Sequence, residues 1–379
     1  MMSQIALVSA DRQIVLIDTD GSSHSITSAS EIPLALWNQP KLPKLTHTWP
    51  TFSPDGKSIA TFRMRGKDAS VLVTDLSGSQ GAEVIDLTGQ MPIYLQWSHS
   101  GSWIAVVSQV EESLRLYAAP YDEIDAEQKI EEGSPLFFTW TLDHRLAVFS
   151  GGGSRRARMN LIDPISSRPT ELLPGFPGDF CAPINTVDGV VYAASSPEEA
   201  ELRIYANADT VRTLKGGTGL LAFLSSPDGK MIAKAVAPGG DGTPYRGLTI
   251  LDVQSGEEEV LTQSELLAFM WTPDGTSILI ARVDTDRGLV EWTRVEMNGT
   301  HHHIADLLPT RDLRFYLRFF EQYAQSHPII DGASEWILLP GVLRGEQSSP
   351  RVWKVSLTGG KPVNLGEGFF ATFGPPLQN

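Results

Sequence analysis

The side chains best suited to chemistry in this sequence are guanidinium groups. Arg63, Arg65, Arg155, Arg156, Arg158, Arg246, Arg282, Arg287 and Arg344, joined by Lys67, fall in irregular stretches such as MRGKDAS, GGGSRRAR, VDTDRG and LRGEQSSP. A guanidinium fork grips a carboxylate or phosphate through parallel charge-assisted hydrogen bonds, so convergence of these groups would hold an acidic peptide segment. Glu111, Glu112, Glu198, Glu199, Asp284 and Asp286 stand in comparable stretches and can neutralise them. Groups for covalent or metal chemistry are thinner. His301, His302 and His303 read as part of an outer strand, where successive side chains point to opposite sides and cannot meet on one ion. The single cysteine, Cys181, excludes an internal disulfide and a cysteine-based metal cluster, and reads as a small buried apolar residue. No G-x-S-x-G nucleophile elbow occurs, and SGGGSRRAR lacks the ending of a phosphate-binding P-loop. No cofactor and no catalytic residue are expected.

Thirty Lys and Arg against 45 Asp and Glu leave a net charge of −15. That argues against nucleic acid as a partner, because phosphate backbones are held by clustered cations. No stretch reaches the roughly 18 apolar residues of a membrane helix. The opening MMSQIALVSADRQIVLID alternates like a strand and carries no basic leader, so a soluble, cytoplasmic protein is expected.

Loop cations need a rigid scaffold to position them, and the sequence repeats itself. WPTFSPDGKSIATFR, residues 49–63, has near copies in YLQWSHSGSWIAVVS, LLAFLSSPDGKMIAKAV and LLAFMWTPDGTSILIAR. Alignment on the turn brings Gly56, Gly101, His144, Gly189, Gly229, Gly275, Gly332 and Gly374 into register, 40–46 residues apart except for one interval of 57. A period near 45 is that of a four-stranded propeller blade. With 34 Gly and 25 Pro scattered among Val, Ile and Thr runs, short strands are favoured over long helices. In S-P-D-G, Pro presets the first turn position, Asp accepts from the backbone and Gly takes the positive-φ position, so the phrase is a hairpin turn and not an active site. His144 and Ser100 replace the preferred Gly and Asp in two of these turns. QIVLIDTDG (13–21) aligns on the third-strand phrase SVLVTDLSG (70–78), and GFFATFGPP (368–376) supplies a first strand. The two termini should therefore share one blade. The expected fold is all-β, an eight-bladed β-propeller of four-stranded blades, with seven blades as the alternative if the 57-residue interval is misread.

These units resemble TolB-type, or PD40, propeller repeats, bacterial relatives of WD40 repeats that also form the propeller of prolyl-oligopeptidase-like peptidases. The resemblance spans nearly the whole chain and is strongest over residues 49–75, 220–252 and 267–294. YLRFFEQYAQSH (316–327) further resembles a stretch of bacterial proteins of this kind. The resemblance implies one propeller domain over residues 1–379 and brings no assigned activity. TolB's amino-terminal domain and export signal are not expected here, so its periplasmic location is not carried over.

In such blades the turns joining first to second and third to fourth strands share one face of the disc, here the turn face, and all other connections share the opposite loop face. SPDG, TPDG, DTDG and MNG fall on the turn face, and the cation-bearing stretches fall on the loop face, where function is expected. Two longer segments join them there. A Pro-rich insertion, 30–47, carries Trp37 and several leucines that need cover, either as a cap on the propeller's own end or as a docking surface. Residues 311–326 space Leu313, Tyr316, Leu317, Phe320 and Tyr323 as in a short amphipathic helix, expected to lie across the loop face beside the channel mouth, with His327 approaching the channel. The expected function is a non-catalytic binding or scaffold protein, free-standing or a complex subunit. It would take a protein or peptide segment through Trp37, the nine arginines, Tyr323 and His327. The alternative is a small-molecule-binding or metal-dependent propeller enzyme, lactonase- or lyase-like, with His, Asp or Glu side chains converging at the channel mouth.

Overall fold

The computed structural model describes residues 3–28, 44–77, 81–123, 126–151, 157–173, 182–195, 200–207, 210–239, 243–346 and 349–376. Alternating apolar residues build the first complete blade from Thr46–Phe52, Ser58–Arg65, Asp68–Asp75 and Ala82–Asp86, paired antiparallel in that order. Its Ile59 on one face and its Phe62 and Val71 on the other are fully buried, in two different core clusters. Blades two to six repeat this pattern over residues 91–133, 136–172, 184–217, 220–266 and 268–309. Blade eight joins the chain ends: Ile5–Ser9 pairs with the far half of Val363–Phe373 (Ile5 opposite Phe373, Leu7 opposite Ala371), and Ile14–Ile17 and Ser23–Ser25 complete it. Closure by strand pairing leaves no open edge between first and last blades. The eight-bladed expectation holds. No helix among the described residues is long and apolar enough to cross a membrane.

The repeated phrase works as a turn and as a link between blades. Ser53 Oγ donates to Asp55 (2.7 Å) and accepts the Ser58 N–H (3.0 Å); Ser226 repeats this with Asp228 (2.7 Å) and Met231 (2.9 Å). At the end of the innermost strand, tryptophan bonds back to the preceding blade. The indole N–H groups of Trp97, Trp140 and Trp271 donate to the carbonyls of Thr51, Gln96 and Leu224, each at 3.2 Å. His144 takes the left-handed turn position that Gly fills elsewhere, at φ 67°. Gly229 is constrained twice, by φ +69° and because a Cβ there would lie 2.8 Å from the Val187 backbone nitrogen of the preceding blade. Gly229→Ala is therefore expected to destabilise the fold by about 3 kcal/mol. Gly299→Ala, at φ +82° with open space around it, should cost only the backbone term of about 1 kcal/mol. Denaturant titration of the two variants checks the difference.

Blade seven departs from the pattern, and the 57-residue interval is the reason. Trp336–Leu343, Arg351–Ser356 and residues 363–367 form its outer strands, but its innermost position is filled in two pieces. The end of His301–Pro309, the outer strand of blade six, pairs Leu307 with Leu343 and Pro309 with Gly341. Ile330 then bridges to Ile337, with the Leu338 N–H donating to the Ile329 carbonyl. Residues 310–328 leave the sheet between these pieces. Gly341 permits the first pairing, since a Cβ there would lie 2.4 Å from the Leu308 carbonyl oxygen.

Candidate functional site

The 310–328 excursion turns into the propeller axis. Thr310 caps α1 (Arg311–Arg318), accepting the Leu313 N–H at 3.1 Å while its hydroxyl donates to the Phe369 carbonyl at 2.6 Å. Asp312 in the first turn meets the Arg12 guanidinium of blade eight, which lies 4.1 Å over the Phe369 ring. α1 buries Leu313, Tyr316 and Leu317; after a break at Phe319, α2 (Phe320–Tyr323) is buried on every side. Around it stand the innermost strands of most blades. Tyr323 lies 4.6 Å from Trp49 of blade one, ring to ring, and its hydroxyl donates to the Ile93 carbonyl of blade two. Tyr94 of blade two donates to the Gln322 carbonyl at 2.9 Å, and the Gln322 amide forms a two-way pair with the Phe138 backbone of blade three. Gln325 donates to the Pro183 carbonyl before blade four at 3.2 Å. Phe320 packs edge-on to Phe269 of blade six at 4.9 Å. The excursion is a plug in the central channel.

This placement corrects the expected helix across the loop face and removes two of the expected binding residues. Tyr323 and His327 are 1% and 0% exposed, so neither is offered to a partner. The physical reason is visible in 315–323, where Phe315, Tyr316, Leu317, Phe319, Phe320 and Tyr323 surround the axis too fully for a surface helix, and the channel is the volume that can cover them all. His327 serves hydrogen bonding: Ser326 Oγ lies 2.7 Å from Nδ1, and Nε2 lies 3.4 Å from the Trp49 carbonyl oxygen. Burial lowers its pKa to about 3, which keeps it neutral.

Six of the loop-face arginines are each drawn to a separate acid. Arg63, Arg158, Arg246, Arg282, Arg287 and Arg344 each hold a different carboxylate: Glu83 (2.9 Å), Glu131 (2.7 Å), Glu265 (3.2 Å), Glu291 (2.9 Å), Asp284 (3.3 Å) and Asp306 (3.3 Å). Arg65 also has an interaction of its own. Trp37, Arg155 and Arg156 lie outside the described residues, as does most of the Pro-rich insertion. A loop-face cavity of about 820 Å³ between blades five and six takes in Arg282, Glu291, Leu317 and Arg318. Its Arg282 is the one paired with Glu291.

The turn face holds a second cavity, of about 480 Å³, directly beneath the plug. Its floor is Ala324, Gln325 and Pro328; its walls are the ends of the innermost strands and the turns of blades two to six. Leu142 and Val187, at the tips of two adjacent turns, line it while remaining 66% and 59% exposed. Sequence reasoning missed this site because it searched the long loops; the apolar residue set in T-L-D-H and T-V-D-G, where turns are usually polar, is the signal that pointed to it. Among the described residues no three His, Cys, Asp or Glu side chains group closely enough to share a metal ion.

The arrangement defines a closed eight-bladed propeller with a self-plugged channel and a blind cup on its turn face. Among solved structures the chain is similar to a eukaryotic initiation factor, at 12% identity over the whole of both chains with a TM-score of 0.59. It is also similar to an oligogalacturonate lyase in complex with manganese, at 14% identity over 91% of this chain and 82% of that one, TM-score 0.50. TolB from Acinetobacter baumannii aligns at 16% identity over 78% of this chain and 62% of its own, TM-score 0.42. No family model matches the chain, and no curated protein matches it in sequence. An initiation factor and a lyase on one architecture show that the fold by itself decides no activity.

Proposed function

We propose that the protein is a non-catalytic binding module that takes up a segment of a partner protein on its turn face. The observation that carries this is the plug. Because the chain fills its own channel, the axis ends in a blind, largely apolar cup whose rim presents Leu142 and Val187 to solvent. Exposed apolar side chains flanking a concavity are the usual anchor of a protein contact. Arg63, Arg158, Arg246, Arg282, Arg287 and Arg344, each already engaged by a carboxylate, give weaker support to an acidic partner on the opposite face.

Leu142→Asp/Val187→Asp alters two exposed turn tips, 66% and 59% exposed, and is expected to leave the fold intact. Affinity capture of the native protein from its source cells should yield a stoichiometric partner, and the double variant should retain at least about tenfold less of it. Equal retention by the double variant would place the contact elsewhere and overturn the proposal.

A further inference from the structure

We propose that the loop-face end of the plug holds an acidic segment of a partner protein, gripped by Arg311 and Arg314, as a second contact separate from the turn-face cup. Both ends of α1 sit at that face. Asp312 meets Arg12, in the turn between the second and third strands of blade eight, and Leu317 and Arg318 line the recess between blades five and six. With Leu313, Tyr316 and Leu317 turned inward, the helix leaves Arg311, Arg314 and Arg318 exposed along its outer side. Residues three and four apart on a helix are surface neighbours.

Arg311 and Arg314 differ from the other cations of this face. Arg63, Arg158, Arg246, Arg282, Arg287 and Arg344 each hold a carboxylate, whereas the guanidinium groups of Arg311 and Arg314 make no ion pair among the described residues. The acids of the excursion do not supply one: Asp312 is engaged by Arg12, and Glu321 is buried. Arg318 extends the stripe, but it lies 5.6 Å over the Phe319 ring and has a further interaction of its own, so the grip falls to the other two.

The stripe does nothing for the fold. Arg311 stands at the N-terminal end of α1, where the helix dipole disfavours a cation, and like charges one turn apart repel. A local cost with no structural return is characteristic of residues kept for binding. In a chain of net charge −15, an anion is taken up where positive charge is locally concentrated, and two adjacent guanidinium forks suit a pair of carboxylates. Phe315 and Phe319, half-buried on the same helix and 5.0 Å apart, ring to ring, offer apolar surface to the rest of the segment.

Calorimetric titration of the full chain at low ionic strength tests this, with N-acetylated hexaglutamate amide, its hexaglutamine counterpart and a thymidine hexanucleotide as probes. Hexaglutamate should bind and hexaglutamine should not. Arg311→Ser/Arg314→Ser should lose at least about tenfold in affinity, whereas Arg158→Ser/Arg287→Ser, which removes as much charge, should stay within about twofold of the wild type. The Arg311/Arg314 variant should also unfold at no lower denaturant concentration than the wild type. Undiminished binding by that variant, an equal loss in the Arg158/Arg287 control, or no binding of hexaglutamate overturns the inference. So does a lowered denaturation midpoint, which would make the two arginines structural, or tighter binding of the hexanucleotide, which would make the ligand a nucleic acid. Leu142→Asp/Val187→Asp should leave hexaglutamate affinity unchanged, so this site and the turn-face contact stand or fall separately; loss of hexaglutamate in that variant would put the acidic segment on the turn face and overturn the assignment to α1.

Discussion

Tyr323→Ala is expected to lower the unfolding free energy by about 4 kcal/mol, an effect of the size seen when a large aromatic is removed from a packed core. The ring is 1% exposed and lies within 4.6–5.8 Å, centroid to centroid, of Trp49, Tyr94, Phe315, Tyr316 and His327, so its loss opens a void at the axis of the disc. It also strands the Ile93 carbonyl that its hydroxyl bonds. Tyr323→Phe keeps the ring and should lose only about 1 kcal/mol, the net worth of one hydrogen bond. Denaturant titration of both variants measures the two terms. A surface helix would give less than about 1 kcal/mol for the alanine variant, and such a value would contradict the plug.

Glu321→Gln should remove a pH dependence that the wild type carries. Glu321 is 6% exposed, its Oε1 has no partner, and burial raises its pKa to about 8, with the Phe223 N–H acting in the opposite direction. The folded state therefore holds a proton that the unfolded chain releases above its ordinary value of 4.5. The stability tied to that proton is fully present below pH 4.5, declines by about 1.4 kcal/mol per pH unit, and is lost once pH has risen through about 8. At pH 9 the glutamine variant should be the more stable by roughly 3–5 kcal/mol, and the two proteins should converge near pH 4. His327 runs the other way: its lowered pKa gives stability that is complete above 6.5 and is lost as pH falls through about 3. It is common to both proteins, so the difference between them isolates Glu321. Parallel stability curves from pH 4 to 9 would contradict a buried, protonated Glu321.

Much of the scaffold is legible in local chemistry. S-P-D-G and its variants mark hairpins because Pro, Asp and Gly each answer a separate backbone requirement, and their spacing counts the blades. The shared blade is legible too, because QIALVS and GFFATF each carry half of a four-strand pattern that only pairing completes. Register in blade seven is less so: the left-handed turn position falls at Ser334 (φ 57°), two residues beyond the glycine that spacing singles out. The excursion was visible as an over-long interval with helical spacing, yet its destination was not. Whether Tyr316, Phe320 and Tyr323 cover a face or fill a channel depends on Trp49, Tyr94, Phe138 and Phe370, contributed by four other blades. Likewise, Arg63 and Glu83 are far apart in the chain and meet only across strands of one blade, so the pairing that neutralises the loop-face cations follows from sheet register and not from spacing.

The central claim is that the plugged propeller binds its partner through the turn face. Amide hydrogen exchange, measured on the captured complex and on the free protein, tests it most directly. The account predicts slower exchange on binding at 141–145, 186–190 and 226–231, with no change at the loop-face turns 65–68 and 284–289 and strong protection of 313–323 in both states. Protection gained at 65–68 and 284–289, with the turn face unchanged, would contradict it.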